Sequence, residues 1–129
     1  MKVDFQIATH LILASHITGI YDVNRNTVLP NDDFSIVSTW AKSISALGLQ
    51  GIIFHNNFSE ATVLKHQSAH LLFIKIAHHI RFNPNVYRYF VYSQFLEKYC
   101  DTIESLFVTD VSDVLVLKNP FMQPLFTAN

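Results

Sequence analysis

The chain is poor in the residues that interrupt regular structure: it has 3 glycines and 4 prolines in 129 residues. That scarcity excludes a collagen-like or low-complexity chain. Those present fall where punctuation is needed: Gly19, Pro30, Gly48, Gly51, Pro84, Pro120 and Pro124. The one cysteine, Cys100, cannot form an internal disulfide. It points to a reducing, cytoplasmic setting, with Cys100 as a structural helix residue. Charge is thin as well: charged residues make up 15% and the formal net charge is −1. Without a basic excess, nucleic acid is not an expected partner. No apolar run reaches the roughly 18 residues that span a bilayer, so no membrane span is expected. Residues 1–14 are interrupted by Asp4, Gln6 and His10, which favours a buried strand over a signal peptide. The patterns G-x-G-x-x-G, G-x-x-x-x-G-K and G-x-S-x-G do not occur. Their absence argues against a Rossmann dehydrogenase, a P-loop NTPase and an α/β-hydrolase.

Apolar residues, by contrast, make up 50% of the chain, and aromatics 13%. That excludes intrinsic disorder. The mass of 14.8 kDa suits one domain over residues 1–129, able to bury about two-thirds of its extended surface. An apolar excess of this kind fits a sheet covered on both faces.

The patterning gives an alternating order. Val3 to Ala14 reads as a strand, and Ser15 to Asn31 as a loop rich in turn residues. Asp32 and Asp33 can cap a helix carrying Phe34, Val37, Trp40, Ala41, Ile44 and Leu47, closed by Gly48. Gln50 to His55 is a short buried strand. Asn57 or Ser59 caps a helix from Glu60 to about Ser68, and Leu71 to Ala77 is a strand. Asn83-Pro84 starts a helix whose buried face would be Val86, Tyr89, Phe90, Ser93, Leu96 and Cys100. Leu106 to Val108 is the last strand. Strands and helices in alternation predict an α/β fold: a mostly parallel sheet with helices on both faces. Ligands of such sheets bind beyond the carboxyl ends of the strands.

Asp110 and Asp113 stand at such an end, in Leu106-Phe107-Val108-Thr109-Asp110-Val111-Ser112-Asp113-Val114. Two carboxylates three positions apart can converge on one hard cation, with water and ligand phosphate completing its shell. A strand end followed by a turn also favours Asp for its own sake. Among the histidines, His66 and His70 have zinc-ligand spacing, but Gln67 departs from the H-E-x-x-H pattern. His78 and His79, being adjacent, would point apart. The aromatics Tyr87, Tyr89, Phe90, Tyr92, Phe95 and Tyr99 are expected to pack their helix, because basic residues barely interleave them.

The stretch LFVTDVSDVLVLKNPF, Leu106 to Phe121, resembles the metal-binding segment of glycosyltransferases with the A-type (nucleotide-diphospho-sugar transferase-like) fold. There a short apolar strand runs into a DxD-like motif, written in some families as T-D-x-x-D-V followed by Pro-Phe. Thr109 to Val114 and Pro120-Phe121 match that form. The helix from Asn85 to Leu96, and the Trp40 helix followed by Gly51-Ile52-Ile53-Phe54-His55, are similar to elements of those enzymes in order. The chain departs at Ser112, where many relatives carry arginine.

The resemblance implies metal-dependent transfer of a sugar from a nucleotide diphosphate sugar to an unknown acceptor. It implies manganese or magnesium, either shared by Asp110 and Asp113 or held by Asp113 while Asp110 faces the nucleotide-sugar donor. It places the nucleobase and ribose at the first strand's outlet, taken as Thr9, His10 and the loop to Arg25. Arg25 or Arg88 would pair with phosphate. It further implies that residues 1–129 are the N-terminal, nucleotide-sugar-binding portion of such a domain. The apolar tail Phe121-Met122 and Leu125-Phe126 would pack against further segments or mediate self-association. The alternatives are a non-catalytic α/β binding or oligomerisation module and a zinc hydrolase using His66 and His70.

Overall fold

The structure is a computed structural model, and it describes residues 5–19, 21–22, 26–28, 31–77, 83–112 and 114–122. The elements are β1 (His10–His16), β2 (Tyr21–Asp22), β3 (Thr27–Val28), α1 (Ser35–Ala46), β4 (Gln50–His55), α2 (Glu60–His66), β5 (Leu71–Lys75), α3 (Pro84–Tyr99), β6 (Ser105–Val108) and a 3₁₀ turn (Pro120–Met122). Four strands form one sheet in the order β5-β4-β1-β6. Every pairing in it is parallel.

The expected α/β architecture is therefore present in outline. The apolar pattern of the central strands explains why. Ile12 and Ala14 of β1 and Ile53 of β4 pack with Val37, Trp40, Ala41 and Ile44 of α1. Leu11 and Leu13 of β1 and Ile52 and Phe54 of β4 pack on the other face with Val91, Tyr92 and Phe95 of α3. Consecutive residues thus alternate between two cores, which demands the continuous apolar runs seen in the sequence.

The strand order carries the functional geometry. From β1 the chain steps outward to β4 and β5, then returns through α3 to β6 on the far side of β1. With right-handed crossovers, that reversal puts α3 on the face opposite α1. The carboxyl ends of β1 and β6 therefore flank a topological switch point, where doubly wound sheets form a crevice.

Helix ends follow local chemistry. Neither Asp32 nor Asp33 is the N-cap of α1, which is Phe34 without a side-chain cap bond. One residue earlier, Asp33 Oδ1 accepts from Ser35 N at 3.0 Å and from the Ser35 hydroxyl at 2.6 Å, and Asp32 Oδ1 accepts from Ser59 N at 2.7 Å. At the close of α1, Gly48 N donates to Ser45 O and Leu49 N to Ile44 O. With Gly48 at φ 70°, this is a Schellman ending. Ser59 caps α2, accepting from Thr62 N at 3.1 Å, and Asn83 caps α3, accepting from Asn85 N at 2.8 Å.

Several expectations need correction. The first strand begins at His10, not Val3, and runs to His16. Residues 6–8 are held instead by one side chain: Ala8 N donates to Gln50 Oε1, and Gln50 Nε2 donates to Gln6 O. Within the expected loop 15–31, β2 and β3 pair as a short antiparallel ribbon. The buried face of α3 is Val91, Tyr92 and Phe95, while Val86, Tyr89 and Phe90 are exposed. Cys100 lies past the end of α3 and is exposed, not packed in the helix. Phe121 is buried in this chain's own core beside Phe107, so it is not free to meet a further segment. Leu125 and Phe126 lie outside the described residues.

Candidate functional site

At the switch point, β6 leads directly into Thr109 and Asp110. Thr109 N extends the ladder by donating to Leu13 O at 2.9 Å. The Thr109 hydroxyl accepts from Trp40 Nε1 at 2.8 Å, which fixes the strand outlet to α1. Asp110 then meets α3: Arg88 Nη1 donates to Asp110 Oδ1 at 2.6 Å. Two site residues expected from the sequence, 22 positions apart, are thus brought together.

Arg88 is held on its other edges as well. Its Nε donates to Asn85 O at 3.2 Å and its Nη2 to Tyr89 Oη at 3.3 Å. The guanidinium also lies 5.0 Å from the centroid of the Tyr89 ring. Burial alone would disfavour its charge. The Asp110 hydrogen bond and the neighbouring Tyr89, Asp110 and Tyr92 outweigh burial, so the net displacement of its pKa is upward. Beneath it, the hydroxyls of Tyr92 and Ser15 share a hydrogen bond at 2.7 Å. Burial raises the Tyr92 pKa, against the Ser15 bond and the Arg88 charge, and keeps that phenol neutral.

The outlets of β1 and β4 are stitched side by side. Thr18 N donates to Asn56 Oδ1 at 2.9 Å, and Asn56 Nδ2 donates to Thr18 O at 3.0 Å. Asn57 Nδ2 donates to Thr18 O at 2.9 Å. Beyond β4 and β5 opens a groove of about 570 Å³ lined by Asn56, Asn57, Lys75, Ile76 and Ala77. It is a shallow groove, open along most of its extent to solvent.

Two histidines end neighbouring strands, His16 opposite His55. Both are buried, and both rings pack on Phe58. His55 Nδ1 accepts from Phe58 N at 3.2 Å. Burial, helped by Lys75 and His16 and opposed by Asp32, lowers the His55 pKa to about 4.

Of the remaining expected site residues, Arg25 and Asp113 lie outside the described residues. Thr9 does not share this edge. It precedes β1, and its carbonyl accepts from Glu104 N and Ser105 N ahead of β6. The outlet of the first strand is Ile17 to Gly19, because the strand starts later and runs longer than expected. His66 and His70 do not share a helix face either. α2 ends at His66 with an extended Gln67. The His66 ring stacks on Phe34 at 3.8 Å, whereas His70 Nδ1 lies 2.8 Å from Leu49 O. His78 and His79 lie outside the described residues.

Among the described residues no group of three His, Cys, Asp or Glu could hold a metal ion. A magnesium-type cation held by one or two carboxylates plus ligand phosphates needs no such cage. Asp110, with its side chain 68% exposed, offers one hard oxygen donor at the right edge. Asn56, Asn57 and Lys75 are not among the site residues expected from the sequence, where Asn57 figures only as a helix cap. The signal was available, since Asn56-Asn57 follows an apolar strand as directly as Asp110 does. Comparison with protein families, curated proteins and solved structures gives no match.

Proposed function

We propose that the chain binds a nucleotide diphosphate sugar at the carboxyl edge of its sheet, with a divalent cation, as part of a glycosyltransferase of the A-type fold. The observation that carries this reading is the position of Asp110. It follows β6 at the β1/β6 switch point and faces a fixed arginine. Asp110, with Asp113 three positions on in the sequence, would hold manganese or magnesium. The cation would supply Lewis-acid stabilisation of the departing diphosphate. Arg88 would add a charge-assisted bond to that diphosphate. The groove at Asn56, Asn57 and Lys75 would receive another part of the donor. β4 and β6 are two strand spacings apart, about 10 Å, a span that an extended nucleotide sugar covers.

The test is turnover of a panel of nucleotide sugars with manganese, magnesium or chelator. Metal-dependent release of nucleoside diphosphate is expected. Asp110→Asn and Asp113→Asn should each lower it by about 10- to 100-fold or more. Undiminished turnover in both variants would overturn the reading.

A second reading, a non-catalytic binding or oligomerisation module, is favoured by exposed apolar residues after β6: Leu115 is 53% exposed and Leu117 75%. Sedimentation at micromolar concentration tests it. Self-association that Leu115→Ser and Leu117→Ser abolish supports it, and a monomer at all concentrations contradicts it.

A further inference from the structure

The Arg88–Asp110 pair joins two groups that the function proposed above would use separately. The two partners are not held equally. The Arg88 side chain is 18% exposed and that of Asp110 68%. Arg88 is fixed by Asn85 O, Tyr89 Oη and the Tyr89 ring. Among the described residues the Asp110 carboxylate hydrogen-bonds to Arg88 alone. The arginine is thus the built part; the Asp110 backbone is anchored between Thr109 and the buried Val111, and its exposed side chain, free to rotate towards solvent, is the displaceable part.

We propose that Arg88 is a pre-formed receptor for a phosphate anion and that Asp110 occupies it as an internal stand-in until a ligand anion displaces it. A diphosphate carries more charge than one carboxylate and presents several oxygens to the same planar fork. Once displaced, the Asp110 carboxylate loses the one cationic partner it has among the described residues and is open to a cation. Anion binding and cation binding therefore each break the same ion pair, and whichever comes first removes that cost for the other. The two are coupled with positive sign, and by reciprocity the coupling is the same in both directions. The inference rests on the proposed function for the nature of the anion only; the exchange itself needs no sugar transfer.

The experiment is calorimetric titration of inorganic pyrophosphate into the metal-free protein in the presence of chelator. The wild type is compared with Asp110→Asn, Arg88→Gln and the double variant. Asp110→Asn should bind pyrophosphate about fivefold or more tightly than the wild type, the lower end of ordinary coupling energies. Arg88→Gln should weaken binding, and Asp110→Asn should bring no gain in its background. If circular dichroism shows Arg88→Gln misfolded, Arg88→Lys replaces it. Lys keeps the charge and stem but loses the fork, so weaker binding is again expected. Equal or weaker binding by Asp110→Asn, unchanged binding on replacing Arg88, or no binding by any variant would overturn the proposal. No metal or nucleotide sugar enters this titration. An anion receptor without transferase activity, and transferase activity without the exchange, are therefore separate outcomes.

Discussion

Gly51 lies directly under Trp40: a Cβ there would sit 2.9 Å from Trp40 Cη2 and 3.1 Å from Ile44 Cδ1. Its lack of a side chain is what lets the indole approach the strand this closely and reach Thr109. Gly51→Ala should destabilise the fold by about 1–3 kcal/mol through overpacking, read from urea denaturation. Trp40→Phe should cost about 1–3 kcal/mol, from the lost Thr109 hydrogen bond and a small cavity. Gly48 differs in kind. A Cβ there would meet nothing within 4 Å, so Gly48→Ala should cost only the left-handed backbone, about 1–2 kcal/mol. At this scale the sequence was partly legible. Gly48 as a helix end and Asn83-Pro84 as a helix start follow from local rules. The partnerships Trp40–Thr109, Ser15–Tyr92 and Arg88–Asp110 do not, because they span 22 to 77 positions and no local pattern encodes them.

Element identities were more legible than element faces. Strand and helix alternation matches the order of the four-stranded sheet and its helices, though not the β2-β3 ribbon, because each central strand is a short apolar run buried on both sides. The buried face of α3 differs from the one its spacing predicts, because aromatics and aliphatics surround that helix and no single stripe dominates its sequence. Which stripe is buried is decided by the sheet: Phe54 of β4 meets Tyr92 and Phe95 at centroid distances of 5.3 and 5.4 Å. Phe95→Ala should therefore cost about 3–5 kcal/mol. Phe90→Ala, at a position 56% exposed, should change stability by no more than about 0.5 kcal/mol. Equal losses in thermal denaturation of the two variants would contradict this assignment. The extent of β1 was misjudged for a related reason. Ile7 and Ala8 are apolar like the strand that follows, but Gln50 bonds Ala8 N and Gln6 O, and a side chain is not a ladder.

For the molecule as a whole, the buried His55 sets a pH dependence. The unfolded chain protonates His55 near pH 6.5, whereas the folded chain resists until about pH 4. The unfolded state therefore binds more protons in that window, so stability is full above it and falls as pH drops through it. His66, lowered by burial and Lys65, acts in the same direction. Asp32 and Asp33, lowered by their hydrogen bonds at Ser59 and Ser35, extend the loss below their ordinary pKa of 3.8. The urea midpoint should fall between pH 7 and pH 4.5, and His55→Gln should reduce that fall; a pH-independent midpoint would contradict the burial of His55. The low charge and high apolar content are accounted for at this scale by two cores, one on each sheet face. The same topology creates the switch point on which the functional account depends. That account is tested most directly by manganese-induced broadening of backbone amide resonances in the presence of uridine diphosphate. The amides of Thr109, Asp110 and Val111 and of Ile17 to Gly19 should broaden first, and Asp110→Asn should abolish the effect. Broadening centred on His66 and His70, or none at the β1 and β6 outlets, would contradict it.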